Sequence, residues 1–303
     1  MNLGYTRSIY LLPFDHRHSY VGGMCGFAPP LNAAQHDAVT ASKRVIYDGF
    51  LAGVARGVPK ASAGLLVDEE FGAQILRDAT ASGYVTALST ETSGSEEFEF
   101  EYGEDFAAHI EAFAPTFAKV LVRYNPEGDA ALNQRQTDRL RQLSAYCQRT
   151  GQRFMFELLV PATRAQMARV EGVQTAYDLE IRPELMLETV RTLQDAGVEP
   201  DVWKIEGLDR RDDCERIVAT ARRDGRSNVG CIVLGRGADE QKVVTWLETA
   251  ASVVGFIGFA VGRTTFWNPV ADYLAHRATR EEAVSRIAAR YGEWAAIFEQ
   301  RQP

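Results

Sequence analysis

The stretch DVWKIE at residues 201–206 contains the pattern that decides the fold. It is a short run of large apolar residues around Lys204, and similar short apolar runs recur along the chain. Strands that are apolar on both faces and separated by helices are typical of a parallel sheet covered by helices. The runs that predict strands are residues 9–14, 64–67, 85–88, 119–124, 154–159, 202–205, 229–234 and 256–261.

Longer amphipathic stretches between these runs predict helices. Eight strand–helix units fit a chain of 303 residues as a single (β/α)8 TIM barrel over residues 1–303, with an extra C-terminal helix at 280–300. An open doubly wound sheet is the alternative, but no Gly-x-Gly-x-x-Gly motif follows the first strand. The helices predicted within the units are residues 34–55, 71–82, 105–113, 133–150, 183–196, 212–223, 239–251 and 269–276.

The composition narrows the class of partner. The chain is 46% apolar and 24% charged, with a formal net charge of -8. No basic run could neutralise the phosphates of a polymer, so we expect neither a nucleic-acid nor an anionic-membrane partner. No apolar stretch approaches the roughly 20 residues of a bilayer span, and the N-terminus lacks a signal-peptide pattern, so a cytoplasmic location is expected. The four cysteines lie far apart, which predicts reduced and mostly buried thiols.

The positions where the predicted strands end are rich in polar residues. In a (β/α)8 barrel these ends carry the chemistry. Of the 33 basic residues only five are lysines, and two of those five lie within apolar runs. The polar residues at the strand ends are Asp15-His16-Arg17, Asp68-Glu69-Glu70, Glu91-Thr92-Ser93-Gly94, Lys119 with Arg123, Glu157, Lys204 with Glu206, Gly235-Arg236-Gly237 and Gly262-Arg263-Thr264.

Lys204 is the candidate nucleophile. By the alternation of a strand, Val202, Lys204 and Glu206 share one face, which in a barrel is expected to be the lumen. Burial lowers the pKa of a lysine, and an uncharged amine is what nucleophilic catalysis requires. The alternative is a structural ion pair of Lys204 with Glu206 or Glu157.

Lys119 and Glu157 are expected to join Lys204 in the same lumen. Lys119 opens the fourth run and Glu157 lies in the fifth, each among apolar neighbours. A second cation would lower the pKa of Lys204 by repulsion, and Glu157 could move protons. The alternatives for Lys119 are anion binding or an edge lysine that reaches solvent.

Two glycine–arginine turns predict a phosphate site. Gly235-Arg236-Gly237 and Gly262-Arg263-Thr264 follow the seventh and eighth strands, where barrels tend to bind phosphate with backbone N–H groups. We therefore expect a phosphorylated substrate, with Arg263 as the favoured side-chain donor and Arg236 second. Arg236 could instead be a solvated loop arginine.

A metal site is the alternative chemistry at the strand ends. His16, Asp68 and Glu69 follow the first two strands and offer ligands of the types that a metal-dependent aldolase needs. Such enzymes usually supply several imidazoles, and only His16 and His18 lie near strand ends. The sequence therefore predicts no metal and no cofactor.

Eight motifs together resemble one known family, the 2-deoxy-5-keto-gluconate 6-phosphate aldolase domain of myo-inositol catabolism. That domain is commonly the C-terminal half of a fusion with 5-dehydro-2-deoxygluconokinase, and nothing in this chain resembles the kinase half. The resemblance therefore implies a separate kinase as functional partner. The motifs, spread over almost the whole chain, are LPFDHR (12–17), VDEEFG (67–72), FEYG (100–103), KVLVRYNP (119–126), FELLVP (156–161), PDVWKIEGL (200–208), VLGRGAD (233–239) and GFAVGRT (258–264).

The same spacing is more distantly similar to class I tagatose-bisphosphate and sulfofructose-phosphate aldolases. In those barrels the sixth strand carries a Schiff-base lysine, the fourth a lysine and the fifth a glutamate. Lys204, Lys119 and Glu157 match these positions, and Asp15 matches an aspartate that closes the first strand. Thr92 stands where the inositol-pathway domain often has a lysine, which bears on substrate identity and leaves the Schiff-base residues unchanged.

The resemblance implies a cofactor-free class I aldolase. Its substrate would be a phosphorylated keto sugar acid, cleaved to dihydroxyacetone phosphate and malonate semialdehyde. Asp15 would bind a hydroxyl or orient a lysine, and either Arg17 or Arg123 would bind the substrate carboxylate. The alternatives are the same chemistry on another sugar phosphate or sulfosugar phosphate, a metal-dependent lyase, and a non-catalytic sugar-phosphate-binding barrel. A homo-oligomer is compatible with the sequence.

Overall fold

Eight parallel strands form a closed barrel in the order of the sequence. The structure is a computed structural model that describes residues 3–301. The barrel closes where β1 pairs with β8 as well as with β2. Every run predicted as a strand overlaps an observed one. The strands are β1 (Ile9–Pro13), β2 (Ala63–Val67), β3 (Val85–Ser89), β4 (Phe117–Arg123), β5 (Arg153–Leu159), β6 (Val202–Glu206), β7 (Gly230–Leu234) and β8 (Phe256–Ala260).

Helices cover the outside of the barrel, so the predicted (β/α)8 architecture is confirmed. Each predicted helix overlaps an observed one, including the extra C-terminal helix. The structure adds the short helices α1, α6 and α7, whose few residues are too short to show a helical period. The helices are α1 (His18–Gly23), α2 (Ala33–Ala55), α3 (Glu69–Ala81), α4 (Phe106–Phe113), α5 (Ala130–Thr150), α6 (Arg164–Arg169), α7 (Gln174–Ala176), α8 (Arg182–Asp195), α9 (Arg211–Ala221), α10 (Glu240–Ala251), α11 (Arg263–Leu274) and α12 (Arg280–Arg301).

One helix begins earlier than the sequence predicted. Proline favours the first turn of a helix, and the pattern placed a helix start at Pro269. Pro269 instead lies inside α11, which begins at Arg263. The turn Gly262-Arg263-Thr264 is therefore the N-terminus of a helix, and backbone N–H groups at such an end favour anions.

Alternation along each strand separates two apolar layers. Trp203 and Ile205 pack outward beneath the helices, whereas Val202 lies in the lumen with Phe117 and Met155. Tyr5 covers this lumen layer, with its ring edge-on to Phe117 at 5.1 Å between centroids. The N-terminal half of the lumen is therefore filled by apolar side chains, and polar chemistry is confined to the carboxyl ends of the strands.

The C-terminal helix α12 fixes the strand that closes the barrel. Tyr291 donates a hydrogen bond of 2.6 Å to the carbonyl oxygen of Tyr10 on β1. The indole of Trp294 donates to the hydroxyl of Thr265 on α11 at 3.0 Å. The last helix therefore supports both β1 and the helix that follows β8.

Two further predictions concern the cysteines and the membrane. All four cysteines are free; Cys147, Cys214 and Cys231 are buried and Cys25 is half-buried, as predicted. Among residues 3–301, no helix combines the length and the apolar character that crossing a membrane needs.

A single glycine tests how tightly the barrel closes. Gly258 on β8 pairs with Ile9 on β1 and has a φ of 155°, and a Cβ there would lie 1.7 Å from the carbonyl oxygen of Ile9. We expect Gly258→Ala to force the two strands apart and to cost about 3 kcal/mol or more of the free energy of unfolding. Chemical denaturation monitored by circular dichroism measures this loss.

The matched control is Gly292→Ala in α12, where an added Cβ meets no atom within 4 Å. Alanine is the better helix former, so this variant should gain about 0.5–1 kcal/mol. Equal denaturation midpoints for the two variants would contradict the close approach of β8 to β1.

Candidate active site

A cavity of about 360 Å³ opens at the carboxyl ends of the strands. This volume lies in the range of sites for small molecules. Its wall contains most of the residues that the sequence analysis singled out, because the ends of all parallel strands meet at one face of the barrel. The titratable residues in the wall include Asp15, His16, Glu91, Glu157 and Lys204.

Lys204 lies at this cavity and is almost completely buried. Its side chain is 4% exposed, and its Nζ lies 2.5 Å from Oε1 of Glu157 on the neighbouring strand β5. Burial lowers the pKa of Lys204 and the nearby Lys119 lowers it further, against the opposing effect of Glu157. The structure therefore shows the predicted ion pair with Glu157, together with access to a cavity that a purely structural pair does not need.

Lys119 differs from Lys204 in both position and charge. It is 0% exposed and does not belong to the cavity wall described above. Its Nζ lies 2.9 Å from Asp15, 2.6 Å from Glu91 and 2.9 Å from Glu157. Burial alone would lower the pKa of Lys119, but the three carboxylates outweigh it and raise the pKa well above the ordinary lysine value. Lys119 is therefore a fixed cation whose ammonium group is surrounded by carboxylates.

The strand register explains why the two lysines differ. Lys119 pairs with Met155 and Met155 with Val202, so Lys119 belongs to the apolar layer of the lumen. Glu157 pairs with Lys204 two residues farther along. The side chain of Lys119 extends from the apolar layer toward the carboxyl ends of the strands, where the three carboxylates lie. The backbone of Lys204 is two residues nearer those ends, beside the cavity.

The three carboxylates around Lys119 have different pKa directions. Burial raises the pKa of each, but the lysines outweigh burial at Asp15 and Glu157 and lower their pKa values. At Glu91 burial prevails and the pKa is raised. Glu91 was predicted only as a polar residue after β3, with no role, although its position at a strand end is a sufficient signal to consider it.

The two predicted phosphate turns lie beside each other in the cavity wall. The wall includes Gly235, Arg236 and Gly237 after β7, and Gly262 and Arg263 after β8. Arg236 and Gly237 have left-handed φ values of 51° and 69°. Both turns therefore border the same cavity.

The side chain of Arg236 does not match either of its predicted roles. Its Nη1 lies 2.9 Å from Asp178, and its Nε lies 3.0 Å from Glu206. It is therefore neither a solvated loop arginine nor a free donor for phosphate. Asp178 was not considered as its partner because it lies 58 positions earlier in the sequence. Arg263 is exposed and, within residues 3–301, has no carboxylate within 4 Å, so it remains the favoured donor.

The two arginines proposed to bind a substrate carboxylate differ in their partners. Arg17 is buried, forms an ion pair of 2.9 Å with Glu101 and donates to the carbonyl oxygen of Glu91. Arg123 at the end of β4 is half-buried, belongs to the cavity wall and donates to the carbonyl oxygen of Ser95 at 2.9 Å. Among the described residues no carboxylate lies within 4 Å of Arg123, so its charge is available to a ligand.

Two of the three residues considered for a metal, Asp68 and Glu69, have other partners, whereas Nδ1 of His16 is buried and has no hydrogen-bond partner among residues 3–301. Asp68 is buried, pairs with Lys43 of α2 and accepts from the backbone N–H of Phe71 at 2.8 Å. Glu69 pairs with His109 at 2.8 Å. The part of the chain that the structure describes contains no group of three His, Cys, Asp or Glu residues arranged to hold a metal ion. The buried Lys43–Asp68 pair was missed, because Lys43 lies in a helix and gave no strand-end signal.

Comparisons with known proteins agree with this architecture. Residues 4–302 match the family described as "Uncharacterized protein conserved in bacteria (DUF2090)". No curated protein matches the sequence significantly.

Three of the solved structures that share this fold are described as aldolases. A Schiff-base-forming fructose-1,6-bisphosphate aldolase aligns at a TM-score of 0.55 and 13% identity, covering 89% of this chain and 94% of its own. Fructose-bisphosphate aldolase from Plasmodium falciparum aligns at 0.67 and 14%, covering 98% and 92%. An archaeal fructose 1,6-bisphosphate aldolase aligns at 0.55 and 13%, covering 94% of both chains. At such identities the similarity establishes a shared fold.

Competitive labelling of lysines tests the lowered pKa of Lys204. A small acylating reagent reacts with the uncharged amine, so a lowered pKa shifts the rise of the labelling rate to lower pH. We expect the midpoint for Lys204 to lie below the ordinary lysine value, as followed by peptide mass spectrometry. The exposed Lys60 is the internal control. A midpoint for Lys204 at or above that of Lys60 would contradict the assignment.

Proposed function

We propose that this chain, which belongs to the bacterial family DUF2090, is a class I aldolase whose Schiff base forms on Lys204. One observation carries the proposal: a buried amine of lowered pKa lies at a cavity and is paired with a carboxylate that also contacts a second lysine. An amine nucleophile needs these conditions. The similarity of the fold to an aldolase described as Schiff-base-forming supports the proposal.

The proposed substrate is 2-deoxy-5-keto-D-gluconate 6-phosphate. The motif resemblance to the inositol-pathway domain supports it, and a separate kinase would then supply the phosphorylated sugar acid. The positions of the two available arginines fit a chain with an anion at each end. Arg123 ends β4 and Arg263 follows β8, which lie opposite each other in an eight-stranded closed barrel, and Lys204 on β6 lies midway between them.

The reaction begins at the ketone. Lys204 attacks C5, and Glu157, whose Oε1 lies 2.5 Å from Nζ, takes a proton from the nitrogen and returns it to the carbinolamine oxygen. One further proton, taken up from solvent, lets that oxygen leave as water and gives the cationic iminium. The iminium then withdraws electrons from the C3–C4 bond as the C3 hydroxyl loses its proton to Glu157. Malonate semialdehyde leaves, and the enamine on Lys204 is protonated and hydrolysed to dihydroxyacetone phosphate. General acid–base help of this kind contributes about 10²- to 10⁴-fold.

The remaining charged residues support these steps. Lys119 holds Glu157 and Asp15 in place and lowers the pKa of Lys204. Asp15 therefore acts by orienting a lysine, one of its two expected roles. Arg263, the N-terminus of α11 and the backbone of the 235–237 turn bind the phosphate, and Arg123 binds the carboxylate.

Borohydride trapping tests the nucleophile. We expect dihydroxyacetone phosphate and borohydride to label Lys204 irreversibly, with the site identified by peptide mapping. Lys204→Arg should be unlabelled and should cleave substrate only at the background rate, because a guanidinium forms no imine at neutral pH. Lys60→Arg, which changes an exposed lysine, should behave as wild type.

The outcome also separates the competing functions. Label on another lysine, or full activity of Lys204→Arg, would remove the mechanism. Faster cleavage of a sugar bisphosphate or a sulfosugar phosphate would keep the mechanism and change the substrate. Loss of activity with a chelator would favour a metal-dependent lyase, and tight binding without turnover would indicate a sensor.

Arg123 provides a separate test of the substrate's second anion. A hydrogen bond to a charged group is worth about 1.5–3 kcal/mol, so Arg123→Ala should raise KM roughly 10- to 100-fold for the sugar acid phosphate. Trapping with dihydroxyacetone phosphate, which has no carboxylate, should be unchanged. Arg164→Ala, an exposed arginine that follows β5, is the control. An unchanged KM in steady-state assays of Arg123→Ala would place the carboxylate elsewhere.

A further inference from the structure

The charges around Lys119 do not balance. One ammonium contacts three buried carboxylates, those of Asp15, Glu91 and Glu157. If Lys204 is uncharged, as a nucleophile must be, the cluster has an excess of two negative charges in a space that excludes most water. Buried carboxylates that share a site cannot all remain ionised, so at least one proton is held there.

The geometry singles out Glu91 as the holder of that proton. Its Oε1 lies 2.6 Å from Nζ of Lys119, but its Oε2 is buried and has no hydrogen-bond partner among residues 3–301. An unpartnered buried charge is far more costly than an unpartnered neutral group. Asp15 and Glu157 instead carry lowered pKa values, and Glu157 contacts both Lys119 and Lys204.

The groups that face Glu91 act in opposite directions. Burial is the largest effect and raises the pKa of Glu91. The charge of Asp15, which follows β1, raises it further. Lys119 of β4 and Arg17, which follows β1, oppose the rise without cancelling it. Glu157 reaches the same ammonium from β5 and adds a further negative charge to the cluster.

Glu91 is also placed to reach a bound substrate. It is 8% exposed and belongs to the cavity wall together with Lys204. It follows β3, three strands from β6 around the barrel, whereas Glu157 is on the adjacent strand β5. The two glutamates therefore approach a molecule on Lys204 from different sides of the lumen.

We propose that Glu91 is a second catalytic carboxyl group, which protonates the enamine after the aldehyde has left. This inference rests on the proposed function. The O–H bond of the Glu91 carboxylic acid breaks and a C–H bond forms at the carbon that was C4 of the substrate. The enamine electrons supply the new bond, an iminium forms again on Lys204, and Glu91 becomes a carboxylate. Water then adds to the iminium and releases dihydroxyacetone phosphate, the neutral amine of Lys204 and, to solvent, the proton that was taken up when the iminium first formed.

Lys119 returns the proton. After one turnover Glu157 carries the proton taken from the C3 hydroxyl, and Glu91 lacks one. Nζ of Lys119 contacts both carboxyl groups, at 2.9 Å and 2.6 Å. Lys119 donates a proton to Glu91 as it accepts one from Glu157 in a single concerted step, so its positive charge is kept and the starting state is restored with no net proton gained or lost.

The test separates Schiff-base formation from carbon protonation. Dihydroxyacetone phosphate bound to Lys204 exchanges a hydroxymethyl hydrogen with deuterated water through the enamine, and NMR measures this exchange. In Glu91→Gln, which keeps an acceptor for Lys119 but has no acidic proton, borohydride trapping should persist while exchange falls about 10²- to 10⁴-fold. Glu199→Gln, which removes the carboxylate that pairs with Arg226 far from the cavity, is the matched control and should exchange as wild type.

The possible outcomes distinguish failure of the role of Glu91 from failure of the proposed aldolase function. Normal exchange in Glu91→Gln would overturn the role of Glu91 and leave the aldolase intact. Absence of trapping in the wild type would overturn the aldolase and this inference with it. If Glu91→Gln does not fold, infrared spectra of wild-type protein with ¹³C-labelled glutamate decide: a protonated glutamic acid band at neutral pH supports the proposal, and its absence overturns it.

Discussion

The contact between Lys119 and three carboxylates is the constraint on which the site depends. A fully buried ammonium is costly to leave unpaired, so Asp15, Glu91 and Glu157 must converge on it from three different strand ends. Their convergence fixes Glu157 beside Lys204, and the fixed charge of Lys119 helps to lower the pKa of Lys204. A lysine outside the cavity wall thus lowers the pKa of the lysine that lies at it.

The register of the barrel strands explains why the two lysines have opposite pKa shifts. Lys119 begins in the apolar layer with Met155, where water is excluded, and Lys204 begins two residues higher, where the cavity starts. The difference in level gives one lysine a raised pKa and the other a lowered pKa. Desolvation acts on both, and the number of carboxylates within reach decides the sign of the shift.

Carboxylate partners also decide which arginines at the cavity have a charge available to a ligand. Arg236 and Arg17 have carboxylate partners and so are part of the framework, with Asp178, Glu206 and Glu101 as those partners. Arg263 and Arg123 lack such partners within the described chain and retain a charge that a ligand can use. The available cations face each other across the barrel, which suits a substrate with an anion at each end.

The sequence by itself determined the barrel, the inward direction of Lys204 and the strand ends that carry polar residues, because these follow from local alternation and from the order of strands and helices. It could not determine which arginine is neutralised, that Pro269 lies inside a helix, or that Glu91 completes the cluster around Lys119. Those features depend on contacts between residues tens of positions apart. Only the closed barrel brings such residues to one face, and only there do burial and neighbouring charges set the protonation of each group.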